Sequence, residues 1–243
     1  MGSGGVLGGM RIEVWSDIVC PWCYIGKRRL EQAITELPYA RQLEVVFRSF
    51  ELDPTAPKDA TEPVVATLAR KYRTSTAQAV EMMSRVTEVA ASEGLEYHLD
   101  RTLRGNTVDA HRLLHLALAE HGPLAQSELK EALLAAYFTR TENVSDHTVL
   151  RKVATDVGLE PQRVDAVLES DEYADEVRAD VEQARAFGAT GVPFVVVDRR
   201  YGVSGAQASE VFRDVIDKAW TESRPTLTTV GGDDVCGPDG CPA

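Results

Sequence analysis

The residues best suited to chemistry are two cysteines two positions apart, in Cys20-Pro21-Trp22-Cys23. Such a pair can close a disulfide when a bend brings its sulfurs together. In the open form a thiolate attacks the sulfur of another disulfide. Where a helix begins, the first cysteine faces unpaired backbone N–H groups and the positive end of the helix dipole, which both favour thiolate over thiol. Cys20 is then the expected nucleophile, and Cys23 the deeper thiol that resolves the mixed disulfide. Pro21 suits the first turn, where its missing N–H costs nothing. Trp22 is expected to cover the disulfide or to meet substrate. The competing assignment is half a zinc site completed by Cys236 and Cys241 or by histidines. Pro-Trp leading into a helix argues against the turn that zinc ligands of this spacing favour.

A second signal lies about 170 residues on, in Thr190-Gly191-Val192-Pro193-Phe194. A proline just before a buried strand sits at the strand's start, because it cannot donate to the ladder. It is a candidate for a cis bond, which would leave the Val192 N–H and C=O free to pair with an extended substrate. Alone the motif is weak; with the cysteine pair in a matching topology it is strong.

The elements that must hold these residues follow from periodicity. Arg11–Trp15 alternates and predicts a strand; Leu30, Ile34 and Leu37 predict a helix over Trp22–Leu37, stopped by Pro38. The cysteines therefore fall at a strand-to-helix junction. Leu43–Phe50 reads as a second strand, and Leu52–Pro63, with three prolines, as a loop. Helices are expected near Val64–Tyr72, Thr76–Glu93, Val108–His121, Ser127–Thr139, Asp146–Val157, Pro161–Leu168 and Asp175–Phe187. Pro193–Val197 and Tyr201–Val203 form a hairpin across Asp198-Arg199-Arg200, and Gln207–Trp220 is a closing helix with one apolar face. The order is β-α-β, a helical block, then α-β-β-α. This predicts an α/β domain over residues 10–62 and 171–221, interrupted by a helical insertion over 63–170. Residues 1–9 read as a flexible appended segment, with Met10 the natural start, and 222–243 as a mobile acidic tail.

Composition narrows the partners. The chain has 243 residues, with 26 Lys+Arg against 38 Asp+Glu and a formal charge of −12. That balance argues against nucleic acid and against docking on anionic lipid. No apolar run reaches 18 residues, so no membrane span is expected. The opening lacks a positive segment followed by an apolar one, so the expected location is cytoplasmic. Four cysteines in two close pairs at opposite ends do not form a disulfide framework.

Weaker candidates surround the main pair. His111 and His115 are four apart on a helix, but HRLLH offers no third ligand, so no metal is expected. Asn106 and His111 are candidates to line the cleft over Cys20, against the plainer role of a hydrogen-bonded interface. Ser16 and Asp17 stand close to the helix start, and a nearby Asp17 carboxylate would oppose the dipole's effect on Cys20. Cys236 and Cys241 form a CGPDGC turn that can close locally; on a mobile tether it could exchange with the first pair.

The runs RIEVWSDIVCPWCYIGKRRLE, GNTVDAHRLLHLA and GATGVPFVVVDRRYGVSGAQ, with the tail cysteines, resemble the thioredoxin superfamily. The helical block places the chain nearer the DsbA-like oxidoreductases and their FrnE-type branch. The resemblance covers Met10 to Trp220. It implies a thioredoxin fold with inserted helices, thiol–disulfide exchange at Cys20 and Cys23 with protein or small-molecule disulfide substrates, and a cis-Pro193 loop facing Cys20. It implies no required cofactor, with glutathione a candidate reductant. It also supplies the rival reading, a glutathione-dependent isomerase or transferase of the 2-hydroxychromene-2-carboxylate isomerase type. Those relatives carry serine where Cys20 stands, so two cysteines favour redox chemistry.

Overall fold

A computed structural model describes residues 9–224. The expected end segments, with Cys236 and Cys241, lie outside the described residues except for Gly9 and 222–224.

The sheet has four strands, β1 (Met10–Ser16), β2 (Leu43–Ser49), β3 (Phe194–Val197) and β4 (Tyr201–Ser204), in the order β2-β1-β3-β4. β1 runs parallel to β2, with Ile12 opposite Val45, and antiparallel to β3, with Val14 opposite Val195. The parallel pair needs a crossover, which is the helix α1 (Pro21–Thr35). β3 and β4 form the expected hairpin, and the turn places Asp198 and Arg199 at φ of 51° and 54°. Left-handed residues match the twist of a tight hairpin.

On one face of the sheet, α1 and the last helix, α8 (Ser209–Ser223), bury Ile12, Val14, Leu30, Val195, Phe212 and Ile216 together. The other face carries α7 (Ala174–Ala186), whose Ala184 packs with Trp15, Phe194 and Val196. Between β2 and α7 run α2 (Val64–Tyr72), α3 (Thr76–Ser92), α4 (Val108–Phe138), α5 (His147–Asp156) and α6 (Pro161–Leu168). Their core reaches Ile18, Tyr24 and Ile25 at the start of α1.

One boundary differs from expectation. The gap foreseen between His121 and Ser127 closes to a single kink in α4 at Gly122, with φ 83° and ψ −176°. Pro123 opens the second arm at once, because a helix's first residue needs no N–H partner. Four more residues of helix result, and the second arm lies against both α1 and β2. The fold is a thioredoxin fold of the α/β class with inserted helices.

Candidate active site

Cys20 is the N-cap of α1, with extended backbone (φ −93°, ψ 112°), and Pro21 is the first helical residue. The Cys23 N–H donates to the Cys20 carbonyl at 3.0 Å, the first turn of the helix. Both cysteines are free thiols and buried, at 4% and 2% exposure, while Trp22 between them is 40% exposed. The sequence thus turns its aromatic side chain outward and both sulfurs inward. Burial pushes the Cys23 thiol well above its usual range, and the neighbouring Cys20 sulfur adds to this.

The Val192–Pro193 peptide bond is cis. Its loop faces the cysteines: the Cys20 thiol donates to the Val192 carbonyl at 3.6 Å. That carbonyl is therefore occupied in the dithiol state instead of being free. Pro193 also rests on α1 at Gly26, where an added Cβ would lie 2.9 Å from Pro193 Cγ. The inserted segment closes the other side, through the stretch between α3 and α4. The Tyr97 hydroxyl donates to the Pro21 carbonyl at 2.8 Å, and the Tyr97 ring stacks on Tyr24. A hollow of about 390 Å³ reaches Val19, the residue before Cys20, and is lined also by Leu52, Val64, Leu68 and Tyr137, with Arg104 among its polar lining.

Asp17 does not cap α1. It turns inward, 1% exposed, and accepts from the backbone N–H groups of Ile18 and Leu52, both at 2.7 Å. Burial raises its carboxyl, but the His111 contact and the Leu52 N–H outweigh that and hold it below its usual value. His111 lies beneath Asp17, fully buried, with Nε2 3.3 Å from Oδ1. Burial keeps His111 below the usual imidazole range, against the pull of Asp17. Ser16 is buried as well; its hydroxyl and His111 Nδ1 have no hydrogen-bond partner among the described residues. Asn106 is used at the start of α4, where its Oδ1 accepts from the Val108 N–H at 2.9 Å.

His115 points elsewhere. Its Nε2 sits 3.0 Å from Ser49 Oγ and 3.1 Å from Asp180 Oδ2. Serine, histidine and aspartate together suggest a nucleophilic triad, but a triad needs the base to use both ring nitrogens. Here one nitrogen meets both partners, and Ser49 is 2% exposed, so the cluster ties α4 and α7 to β2. Among the described residues no group of three or more His, Cys, Asp or Glu is placed to hold a metal.

Two contributors escaped sequence reasoning. Gly26 gives no pattern in one sequence. Lys130 does: it precedes Leu133, Leu134 and Tyr137 by three, four and seven residues, and so lies in their apolar stripe. It is 1% exposed, its Nζ donates to the Ser16 carbonyl at 3.4 Å, and burial lowers its pKa to about 8.

A thioredoxin-fold sheet with a CxxC pair at the start of α1 and a cis-proline loop against it defines the class of thiol-bearing thioredoxin-like proteins. Residues 11–217 match the DsbA-like thioredoxin domain, and the chain belongs to that family. It is similar to a probable DsbA oxidoreductase of Streptomyces coelicolor whose crystal structure is solved, with 45% identity, 96% of this chain and 99% of that one covered, and a TM-score of 0.83. The uncharacterised protein YwbO of Bacillus subtilis is 27% identical over 209 residues, 85% of this chain and 96% of its own length. A 2-hydroxychromene-2-carboxylate isomerase shares the fold at 12% identity, with a TM-score of 0.63 over 88% of this chain and 97% of that one. No helix among the described residues is long and apolar enough to cross a membrane.

Proposed function

We propose that the protein is a thiol–disulfide oxidoreductase working through Cys20 and Cys23. The observation that carries this reading is the geometry of one junction. Cys20 is the N-cap residue of α1 beside the Val192–Pro193 loop, and Cys23 lies buried one helical turn behind it. A thiolate at Cys20 attacks a substrate disulfide, forms Cys20–S–S–R and releases R′S⁻. Cys23 then attacks the Cys20 sulfur, so the pair ends as a disulfide and RS⁻ departs. The Cys20 sulfur leaves the Val192 carbonyl when it joins the substrate, which frees that carbonyl for the substrate's backbone. The apolar hollow beside Val19 suits the residues flanking the disulfide.

The substrates on this reading are protein or small-molecule disulfides, with glutathione a candidate reductant and no cofactor in the exchange itself. Asp17, His111, Ser16 and Asn106 serve by shaping the floor and frame of the site. A cytoplasmic location belongs to the same proposal and is checked by cell fractionation. The isomerase reading rests on shared fold alone, and a cysteine at position 20 counts against it.

The test is reduction of insulin by dithiothreitol, or of a dithionitrobenzoate-type disulfide by the reduced protein. Cys20→Ser is expected to abolish both. Cys23→Ser is expected to accumulate a mixed disulfide on Cys20, visible by mass spectrometry. Wild-type and Cys20→Ser protein with equal rates would refute the reading. Retained glutathione-dependent isomerisation in Cys20→Ser would favour the alternative.

A further inference from the structure

We infer that the hollow reaching Val19 is a specificity site for an acidic polypeptide segment flanking the substrate's cysteine, with an apolar residue on its floor and a carboxylate at Lys71. The inference rests on the proposed disulfide chemistry and names the class of substrate.

The shape of the hollow comes from α2. No residue of that helix is fully buried. Val64 and Leu68 turn part of their surface to the core of the inserted helices and part to the hollow. Val64, Leu68 and Lys71 are spaced by four and three, so they form one stripe along the helix. At a rise of 1.5 Å per residue the stripe runs roughly 10 Å, the length of about three extended residues. The rest of the lining comes from the stretch 52–56, from Arg104 and Gly105, and from Tyr137 of α4. Val19 brings this trough to the residue before Cys20. A trough of that length, ending at the nucleophile, suits a short run of chain on one side of a substrate cysteine.

Its charge runs against that of the whole molecule. The chain carries −12, yet Arg70, Lys71 and Arg104 line the hollow against one carboxylate, Asp53. Arg104 Nε donates to Asp53 Oδ2 at 2.7 Å. Glu62, just outside the lining, accepts from Arg70 at 2.6 and 3.1 Å and lies 3.9 Å from Arg104. Two arginines and two carboxylates therefore cancel, and Lys71 is left over. Among the described residues it has no ion-pair partner, and its Nζ lies over the Tyr72 ring at 5.8 Å. An uncompensated ammonium beside an apolar trough is complementary to a guest that carries a carboxylate. The plainer role for Arg70 and Lys71 is to serve α2 alone, as cations in its last turn. That role would not distinguish one substrate from another.

The test uses Glu-Leu-Cys-Leu-Glu and Lys-Leu-Cys-Leu-Lys peptides, blocked at both ends and presented as symmetrical disulfides to the dithiol protein in single-turnover reactions. Each rate is divided by that of the same disulfide with dithiothreitol, which removes the peptides' own reactivity. At about 150 mM salt the screening length is about 8 Å, so local charge outweighs the charge of the whole chain. There the acidic peptide is expected to lead at least threefold, the scale of an exposed ion pair. Lys71→Glu, at an exposed position, is expected to lower the acidic-to-basic ratio at least threefold. A wild-type ratio of one or below, or the same ratio in the variant, would overturn the inference. Glutathione disulfide outpacing the acidic peptide on the same scale would assign the trough to a small anionic thiol and overturn the polypeptide assignment. If the wild type exchanges with no disulfide at all, the proposed function fails, and binding still decides the inference. The acidic peptide with serine in place of cysteine is expected to shift the Leu68 and Lys71 amide signals of ¹⁵N-labelled protein more than its basic counterpart does. Equal shifts, or none at millimolar peptide, would refute it.

Discussion

Adding one methyl group at Gly26 separates two effects of opposite sign. In a helix interior alanine is favoured over glycine by about 0.8–1 kcal/mol. At this position the new Cβ would lie 2.9 Å from Pro193 Cγ, 3.4 Å from Ala206 Cβ and 3.5 Å from Pro193 Cβ. Carbon atoms pack best at about 3.5–4 Å, so Pro193 must retreat by roughly 0.6 Å or more. Overpacking of this kind costs about 1–3 kcal/mol. The clash outweighs the propensity gain, and Gly26→Ala is expected to be less stable by up to about 2 kcal/mol. For a domain of this size that corresponds to a Tm lower by up to about 4–8 °C. The functional effect should be larger in proportion. Pro193 carries the loop whose Val192 carbonyl meets the Cys20 sulfur at 3.6 Å, and displacements below 1 Å at a reacting centre can cost on the order of tenfold in rate. Urea unfolding gives the stability, and mixed-disulfide formation at Cys20 gives the rate. A variant about 1 kcal/mol more stable than wild type, exchanging at the wild-type rate, would show that Pro193 does not press on α1 and would refute the reasoning.

Asp17, Asp109 and His111 all hold protons less readily in the folded protein than in the unfolded chain, so unfolding takes up protons and stability rises with pH. Stability is expected to fall as pH drops below about 6.5 through His111, and more steeply below about 3.9 through the carboxylates. Asp109 alone, lowered to about 2 by its contacts with Lys58, His147 and Arg112 against the opposing effect of burial, contributes about 1–2 kcal/mol after allowance for solvent at the exposed Lys58 side. Urea midpoints from pH 8 to pH 3 that stay constant would contradict this. The sequence pair Cys236 and Cys241, outside the described residues, is expected to exchange with the first pair: Cys236→Ser with Cys241→Ser should slow turnover of protein disulfides several-fold on a tethered-reactant basis. Insulin reduction at the wild-type rate by that double variant would remove the tail from the reaction.

The parts of the site legible in the sequence are those whose chemistry and geometry are set within a few residues. Cys20 and Cys23 lie within one turn, Pro21 marks the helix start, and Pro193 opens a β-branched strand, so local rules placed all four. The β-α-β and β-β-α halves followed from period alone, because β1 and β3 each have one dominant apolar pattern. The floor of the site is different. Asp17 has two directions open to it at a helix start, toward the N-terminal N–H groups or into the core. What decides is the Leu52 N–H from a loop 35 positions on and His111 from 94 positions on, and neither is visible from Asp17's own neighbourhood. Asn106 shows the converse, since its own backbone two residues on captures the side chain that otherwise suited the cleft. Lys130 stands between these cases. A lysine in an apolar stripe can extend its charged end to solvent along its stem, and the sequence does not say whether an opening exists. The Glu131 contacts with α1 close it, so the lysine's confinement is a property of how two helices meet. The residues that form the floor of the site are therefore the ones that only tertiary packing reveals, while the two sulfurs are written in four consecutive residues.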